Sequence, residues 1–118
     1  MKKLLVIVAS SPYGSIAARD AIDFIMSAGG YGHWIDALFI DDGVHYIVPS
    51  STAHAFTLKS TEKNIKSLPF FDVENTYVCT ASVESRTLQD KINNDDFVFV
   101  NHSELNVMTD TYDMVVTF

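Results

Sequence analysis

The sequence contains little cysteine and little positive charge, and each shortage excludes a class of site or partner. It has one cysteine, Cys79, so no disulfide can form within the chain, and a closed zinc site made of thiolates would need ligands from other chains. Eight Lys and Arg residues stand against 15 Asp and Glu residues, for a formal net charge of −7. Because proteins bind a phosphate backbone with clustered Lys and Arg, this charge opposes unaided binding to nucleic acid.

Long apolar runs are also missing from the sequence. No apolar stretch approaches the roughly 20 residues that span a bilayer. Residues 1–9 resemble a signal peptide only superficially, because the apolar run after the two lysines is short and Pro12-Tyr13-Gly14 breaks it where a cleavage region would continue. We therefore predict a buried strand at residues 3–9 and expect the protein in the cytoplasm.

The composition that remains is that of a globular protein. The 118 residues are 47% apolar and 19% charged, which is enough apolar material for a packed core and too little chain for a second one. We predict one domain that covers residues 1–118.

Apolar runs separated by helical segments indicate the fold class. Residues 3–9 are apolar without alternation, which is typical of a parallel strand buried on both faces. We predict five strands at residues 3–9, 34–41, 75–80, 97–100 and 113–118, and helices at residues 15–29, 44–48, 59–68 and 103–109. This order predicts a three-layer α/β fold, with a five-stranded, mostly parallel sheet, helices on both faces and a flavodoxin-like strand order that makes the third strand central.

Ligands of such sheets bind at the carboxyl ends of the strands, and the first two ends carry polar residues. Ser10, Ser11, Gly14 and Ser15 follow the first strand and are either a phosphate-binding turn or an ordinary strand-to-helix turn, since no established phosphate-loop pattern is present. Asp41-Asp42 follows the second strand. A phosphorelay receiver would pair such carboxylates with an aspartate after the third strand and a lysine after the fifth, but this chain has Cys79-Thr80 and Phe118 there.

The alternative for the second end is structural, with Asp42-Gly43 forming a turn and Asp42 capping a helix. The four histidines do not suggest a metal site either. They fall in separate segments without metal-ligand spacing, so we interpret them as surface or loop residues: His33, His45, His54 and His102. We predict no metal and no cofactor.

Cys79 is the most informative candidate for chemistry. It lies at the carboxyl end of the third strand, directly before the small and polar residues Thr80-Ala81-Ser82. If a helix begins there, its free amides and dipole would stabilise a thiolate or a persulfide anion, as a sulfur carrier requires. The alternative is that Cys79 packs in the strand as a small apolar residue.

The whole chain resembles the DsrE/DsrF/DsrH superfamily of sulfur-relay subunits, most closely its TusC (DsrF) branch. No single motif is diagnostic, but the order and spacing of several are: Ser11-Pro12-Tyr13-Gly14, Ala17-Ala18-Arg19 with Asp23, Phe39-Ile40-Asp41-Asp42-Gly43-Val44, Tyr77-Val78-Cys79-Thr80-Ala81-Ser82 with Arg86, and Tyr112-Asp113-Met114-Val115-Val116-Thr117-Phe118. One departure is that Arg-Gly, seen after the cysteine in many relatives, reads Arg86-Thr87 here. Thr avoids backbone angles that Gly adopts, so the loop geometry becomes a question for the structure.

The resemblance implies a hetero-oligomer with TusB-like and TusD-like chains. Such a complex takes persulfide sulfur from a TusA-like carrier and passes it through a TusE-like carrier toward 2-thiouridine at a transfer-RNA wobble position. A DsrF-type subunit would serve sulfur oxidation instead. The resemblance also implies that the main sulfur acceptor is a cysteine of the TusD/DsrE-type subunit, with Cys79 at the matching place in an accessory, non-catalytic chain.

Two apolar clusters in the middle of the sequence fit a protein that associates with itself or with sister subunits, although they could equally cover the sheet: Tyr46-Ile47-Val48 and Leu68-Pro69-Phe70-Phe71. A function of a different class is a flavodoxin-like module that binds a flavin or nucleotide phosphate at the turn of residues 10–15. The chain is short for that function and lacks long aromatic loops to enclose a flavin.

Overall fold

The computed structural model describes residues 2–10, 17–29, 32–47, 73–88, 90 and 97–118. Its elements in chain order are β1 (Lys3–Val8), α1 (Ala17–Gly29), β2 (Trp34–Phe39), a 3₁₀ helix (Asp41–Ile47), β3 (Val73–Cys79), α2 (Thr80–Ser85), β4 (Val98–Val100), α3 (His102–Met108), a 3₁₀ turn (Thr109–Thr111) and β5 (Met114–Thr117). The predicted helix at residues 59–68 and the cluster at residues 68–71 lie outside the described residues. Within the described ranges no helix has the length and apolar character needed to cross a membrane.

The five strands form one sheet in which every pairing is parallel, in the order β4-β3-β2-β1-β5. The predicted α/β class with a five-stranded parallel sheet is confirmed. The strand order differs from the 2-1-3-4-5 order of flavodoxin, because β1 to β4 follow one another in a single direction and only β5 returns to the far side of β1. The central strand is therefore β2, and Cys79 ends a strand that lies next to the edge strand β4.

One face of the sheet, which we call the α1 face, packs against apolar side chains from α1, the 3₁₀ helix and α2. Helix α1 contributes Ala21, Ile25 and Ala28 at helical spacing. The 3₁₀ helix contributes Val44 and Ile47, and α2 contributes Val83. These residues cover strand side chains that include Leu4, Val6, Val8, Ile35, Ala37, Phe39, Val73 and Val78.

The opposite face, which we call the α3 face, has a smaller apolar cluster of Leu5, Ile7, Leu38 and Val100. Leu105 and Met108 of α3 pack against it while remaining partly exposed, and α3 has no buried residue. The helix begins at a capping box, because Asn101 accepts a hydrogen bond from the Glu104 amide at 2.9 Å and its own amide donates to Glu104 Oε1 at 3.2 Å. Helices thus lie on both faces, as predicted for three layers.

Candidate functional site

The carboxyl ends of β1 and β2 are held together by a glycine that leaves no space for a side chain. A Cβ atom added to Gly43 would lie 1.9 Å from the carbonyl oxygen of Val8. The Ile40 amide donates to that same oxygen at 3.1 Å, and the Gly43 amide donates to the Ile40 carbonyl at 2.9 Å. Gly43 therefore lets the 3₁₀ helix pack directly on the end of β1.

The ends of β2 and β3 are joined by a buried serine. The amide of Asp41 donates to Ser82 Oγ at 2.9 Å, and Ser82 is buried within α2. Asp41 itself has a φ of 49°, in the left-handed region that aspartate tolerates better than most residues. The hydroxyl of Ser82 thus satisfies the backbone of the turn that follows β2.

A second link joins the same two segments through side chains. Arg86, which follows α2, donates from Nε and Nη2 to Oδ1 of Asp42 at 3.2 and 3.1 Å. Its Nη1 donates to the Ser82 carbonyl at 3.3 Å and to Ser85 Oγ at 3.1 Å. Asp42 thus forms an ion pair with Arg86, in the segment that follows Cys79. This role differs from the helix cap that the structural alternative predicted.

Cys79 is a free and buried cysteine. It is the last residue of β3 and the N-cap residue of α2, with φ −73° and ψ 115° and no hydrogen bond from its side chain to the helix. Only 3% of the residue is exposed. Alternation along β3 places its side chain on the same face as Tyr77, and its register partner on β4 is Val100. In this conformation the sulfur packs as an apolar group.

Thr87 has a φ of 51° and so takes the left-handed conformation that glycine favours. The turn after α2 therefore has a backbone conformation that suits glycine, although Thr87 stands where many relatives have glycine. The β-branched Thr87 adopts this conformation with backbone strain. The Thr87 amide donates to the Glu84 carbonyl at 3.1 Å, which helps to hold it there.

The other candidate residues are not brought into one cluster. Ser10 lies two residues after β1, whereas Ser11, Gly14 and Ser15 lie outside the described residues. His33 precedes β2, His45 is half-buried in the 3₁₀ helix and not in a loop, His102 is exposed at the start of α3, and His54 lies outside the described ranges. Among the residues that the structure describes, no group of three His, Cys, Asp or Glu side chains is arranged to hold a metal ion.

Comparison with known proteins decides the family. The DsrE/DsrF-like family model matches residues 2–118. The chain belongs to the DsrE/DsrF-like family. It is similar to curated proteins named "Protein TusC homolog": 28% identical over 116 residues to that of Pseudomonas aeruginosa, covering 98% of each chain, and 30% identical over 88 residues to that of Vibrio parahaemolyticus, covering 75% of each. The resemblance stated from the sequence is thereby confirmed.

Solved structures support the fold alone. The chain is similar to the YchN protein of E. coli, with a TM-score of 0.78 at 16% identity over 100% of both chains. It is also similar to BT1422 of Bacteroides thetaiotaomicron, described as a conserved protein of unknown function, with a TM-score of 0.73 at 9% identity over 98% of this chain and 95% of that one. Other solved proteins thus share the fold of this chain.

The sequence reasoning missed one polar group of this DsrE/DsrF-like chain. Asp36 is 1% exposed in the central strand. It accepts hydrogen bonds from Tyr112 Oη at 2.5 Å and from Asn75 Nδ2 at 3.0 Å. Burial, and then the hydrogen bond to Asp36, raise the pKa of Tyr112 far above its ordinary value, and burial together with the charge of Asp36 raises the pKa of Tyr77. The signal was present, because Asp36 is the only charged residue in the run WIDALF.

Proposed function

We propose that this chain is a subunit of a sulfur-relay complex of the TusBCD/DsrEFH type. The complex passes persulfide sulfur toward 2-thiolation of a transfer-RNA wobble uridine. This chain contributes structure and assembly, and a cysteine of another subunit is the main sulfur acceptor. The full-length family match and the curated relatives named TusC homolog support the relay role.

The burial of Cys79 is the observation that favours an accessory role. A persulfide forms when a thiolate attacks a sulfur atom of the donor, so the two sulfur atoms must meet. With 3% of the residue exposed, Cys79 cannot meet a donor protein in this conformation. Cys79 is the N-cap residue of α2, but its side chain makes no capping hydrogen bond to that helix.

The partners follow from the proposed complex. TusB-like and TusD-like chains bind directly, and TusA-like and TusE-like carriers act on the assembled complex. The net charge of −7 suits a subunit that works in the cytoplasm without touching RNA itself. Among the described strands β5 is an edge strand, and its Met114 and Val115 are exposed by 47% and 40%, which suits association with another chain or with a second copy.

Isotopically labelled sulfur tests the assignment. The complex reconstituted from this chain with TusB-like and TusD-like chains is treated with a TusA-like donor that carries labelled persulfide, and each cysteine peptide is analysed by mass spectrometry. We expect label on the TusD-like chain, none on Cys79, and transfer to a TusE-like acceptor within about twofold of wild type for Cys79→Ala, since alanine keeps the site small and apolar.

Label that appears on Cys79 and then moves to the acceptor would overturn the accessory role. A chain that forms no complex with either partner would overturn the assembly role. Delivery of sulfur to a sulfur-oxidation acceptor instead of the transfer-RNA pathway would assign the DsrF-type function.

A further inference from the structure

Cys79 lies in a row of apolar side chains on the α3 face of the sheet. Its register partner on β4 is Val100. On the other side, Cys79 follows Val78 and Ile40 follows Phe39, and Val78 and Phe39 are register partners. Val100 and Ile40 therefore flank Cys79. Val100 belongs to the apolar cluster of the α3 face, and Ile40 packs against that cluster.

Helix α3 covers this row. It begins two residues after β4 ends, and the connection that contains it crosses the sheet from β4 to β5 at the opposite edge. Leu105 and Met108 lie on one side of the helix and pack against the cluster that includes Val100. Cys79 is 3% exposed and lies between Val100 and Ile40. Among the described elements, α3 is therefore the one that separates its sulfur from solvent on this face.

The packing of α3 is weak compared with that of α1. Helix α3 has seven residues and none of them is buried, whereas α1 buries Ala21 and Ile25 completely. A helix as short as α3 is not stable by itself. Segments with few buried apolar contacts also open at a lower free energy than the core. We therefore expect α3 to unwind more often than β1 to β3 and α1 unfold.

Polar contacts hold the connection at both of its ends. At the start, Asn101 Oδ1 accepts a hydrogen bond from the Glu104 amide at 2.9 Å, and Glu104 Oε1 accepts one from the Asn101 amide at 3.2 Å. At the far end, Tyr112 Oη donates to Asp36 at 2.5 Å. The bond to Asp36 attaches residue 112 to β2, whereas the capping box stabilises the first turn of α3 itself.

We propose that α3 is a lid over Cys79, and that it opens by local unwinding while β1 to β3 and the α1 face stay folded. The capping box of Asn101 and Glu104 holds the lid closed, so its loss increases the fraction of molecules in which the sulfur is reachable. Opening takes place between Asn101, directly after β4, and Tyr112, which stays bonded to Asp36. The inference requires neither a partner chain nor sulfur transfer, so it does not rest on the proposed function.

The test is the alkylation rate of Cys79, the only thiol in the chain, with iodoacetamide. When opening and closing are faster than the reaction, this rate follows the fraction of open molecules. Asn101→Ala removes the capping side chain, and we expect alkylation about threefold to tenfold faster. Asn101→Ser keeps a capping oxygen, and its rate should stay within about twofold of wild type.

The matched control in the same helix is Asn106→Ala. It makes the same exchange at an exposed position of α3 that is not the cap. Because alanine favours helix more than asparagine does, alkylation of Asn106→Ala should be no faster than in wild type.

A variant on the opposite face separates lid opening from global unfolding. Ile25→Val removes one buried methyl group from α1 and destabilises the whole fold about as much as the loss of an N-cap. Since it leaves α3 unchanged, we expect its alkylation rate within about twofold of wild type. Urea unfolding gives the global stability of each variant, so each rate is compared with the loss of stability that accompanies it.

Hydrogen exchange gives an independent measurement in the wild type. The amides of residues 105–108 should exchange at least about tenfold faster than those of β1, because α3 opens without the sheet. Protection of α3 equal to that of β1 would overturn the lid.

Two alkylation results would also overturn the proposal. One is a rate in Asn101→Ala that equals that of wild type or of Asn106→Ala. The other is equal acceleration by Asn101→Ala and Ile25→Val at equal global stability, since the thiol would then be reached by global unfolding. Iodoacetamide needs no partner, so a chain that fails to join a relay complex can still pass this test, and the two proposals fail separately.

Discussion

On the α1 face the sheet packs against apolar side chains from three helical segments, whereas on the α3 face it is covered by a seven-residue helix with no buried residue. The α3 face also buries a carboxylate, Asp36, beside its apolar cluster. The α1 face therefore supplies most of the hydrophobic stabilisation in the described part of the chain. The α3 face depends more on a specific polar network.

The buried carboxylate of Asp36 is tolerated only because both of its oxygens accept hydrogen bonds. A buried carboxylate is costly unless hydrogen bonds compensate for its lost hydration. Each oxygen of Asp36 has a donor, Asn75 on the neighbouring strand and Tyr112 just before β5. The ammonium of Lys3 lies 4.9 Å from the centroid of the Tyr112 ring, a favourable cation–π distance. Non-directional packing thus holds the α1 face, whereas directional hydrogen bonds contribute more on the α3 face. Three tests examine this difference.

The largest loss of stability is expected from Gly43→Ala, because Gly43 packs against the backbone of Val8 at the end of β1. The added methyl group would lie 1.9 Å from the backbone oxygen of Val8, and no side-chain rotation relieves a clash with backbone. We expect a loss of more than about 4 kcal/mol, or failure to fold. Urea unfolding followed by circular dichroism measures it.

The matched control is Gly32→Ala. Gly32 has a φ of 77° but no atom within 4 Å of an added Cβ, so only backbone strain of about 1 kcal/mol is expected. Equal losses for the two variants would contradict the close packing of Gly43.

A smaller difference is expected between truncations on the two faces. Ile25 is fully buried in α1, whereas Leu105 in α3 is partly exposed. Ile25→Ala should cost about 3–4 kcal/mol, since it leaves a cavity in a packed core, and Leu105→Ala about 1 kcal/mol, since solvent already reaches its site. Both values come from urea unfolding with an unchanged m-value. A larger loss for Leu105→Ala would reverse the ranking of the faces.

The last test is Tyr112→Phe, which removes one donor to Asp36. At neutral pH it should cost about 1.5–3 kcal/mol, the range for a hydrogen bond to a charged group. The pH dependence of stability distinguishes the variant from wild type more clearly than the loss at neutral pH. Above about pH 10 the unfolded chain loses the Tyr112 proton that the folded protein retains, because the folded pKa is raised. Stability of the wild type therefore falls as pH rises in this range.

Stability of Tyr112→Phe should fall less steeply with pH above about pH 10, with a remaining slope to which Tyr77 contributes through its own raised pKa. Denaturant titrations between pH 8 and about pH 11 measure both slopes. Parallel curves for wild type and variant would show that folding does not raise the pKa of Tyr112.

The sequence predicted the elements better than their arrangement. The run at residues 3–9 indicated a strand buried on both faces, because a continuous apolar pattern fits few other structures, and β1 at Lys3–Val8 matches it. The apolar pattern of the sequence could not predict the order of the strands in the sheet. Apolar runs show that strands are buried but not which strands are neighbours, so the flavodoxin order and a central position for Cys79 were both expected and neither was observed.

The contacts at the strand ends were predicted only in part. The family motifs include Asp42 and Arg86, but the two residues are 44 positions apart, and no local spacing rule pairs side chains at that distance. The Arg86-Thr87 departure raised the question of backbone angles, and the φ of Thr87 answers it. Asp36 was overlooked because a carboxylate in an apolar strand is unusual, and its partners lie in other elements.

The pairing of β1 with β5 has a consequence for the order of folding. The amide of Lys3 donates to Oδ2 of Asp113 at 2.7 Å across a separation of 110 residues. Contacts so distant along the chain form slowly, because a large loop must close before they stabilise anything. During synthesis the outer edge of β1 therefore stays open until residues 114–117 have emerged. In that interval another nascent strand can pair with it, so we expect aggregation during refolding to begin at this edge.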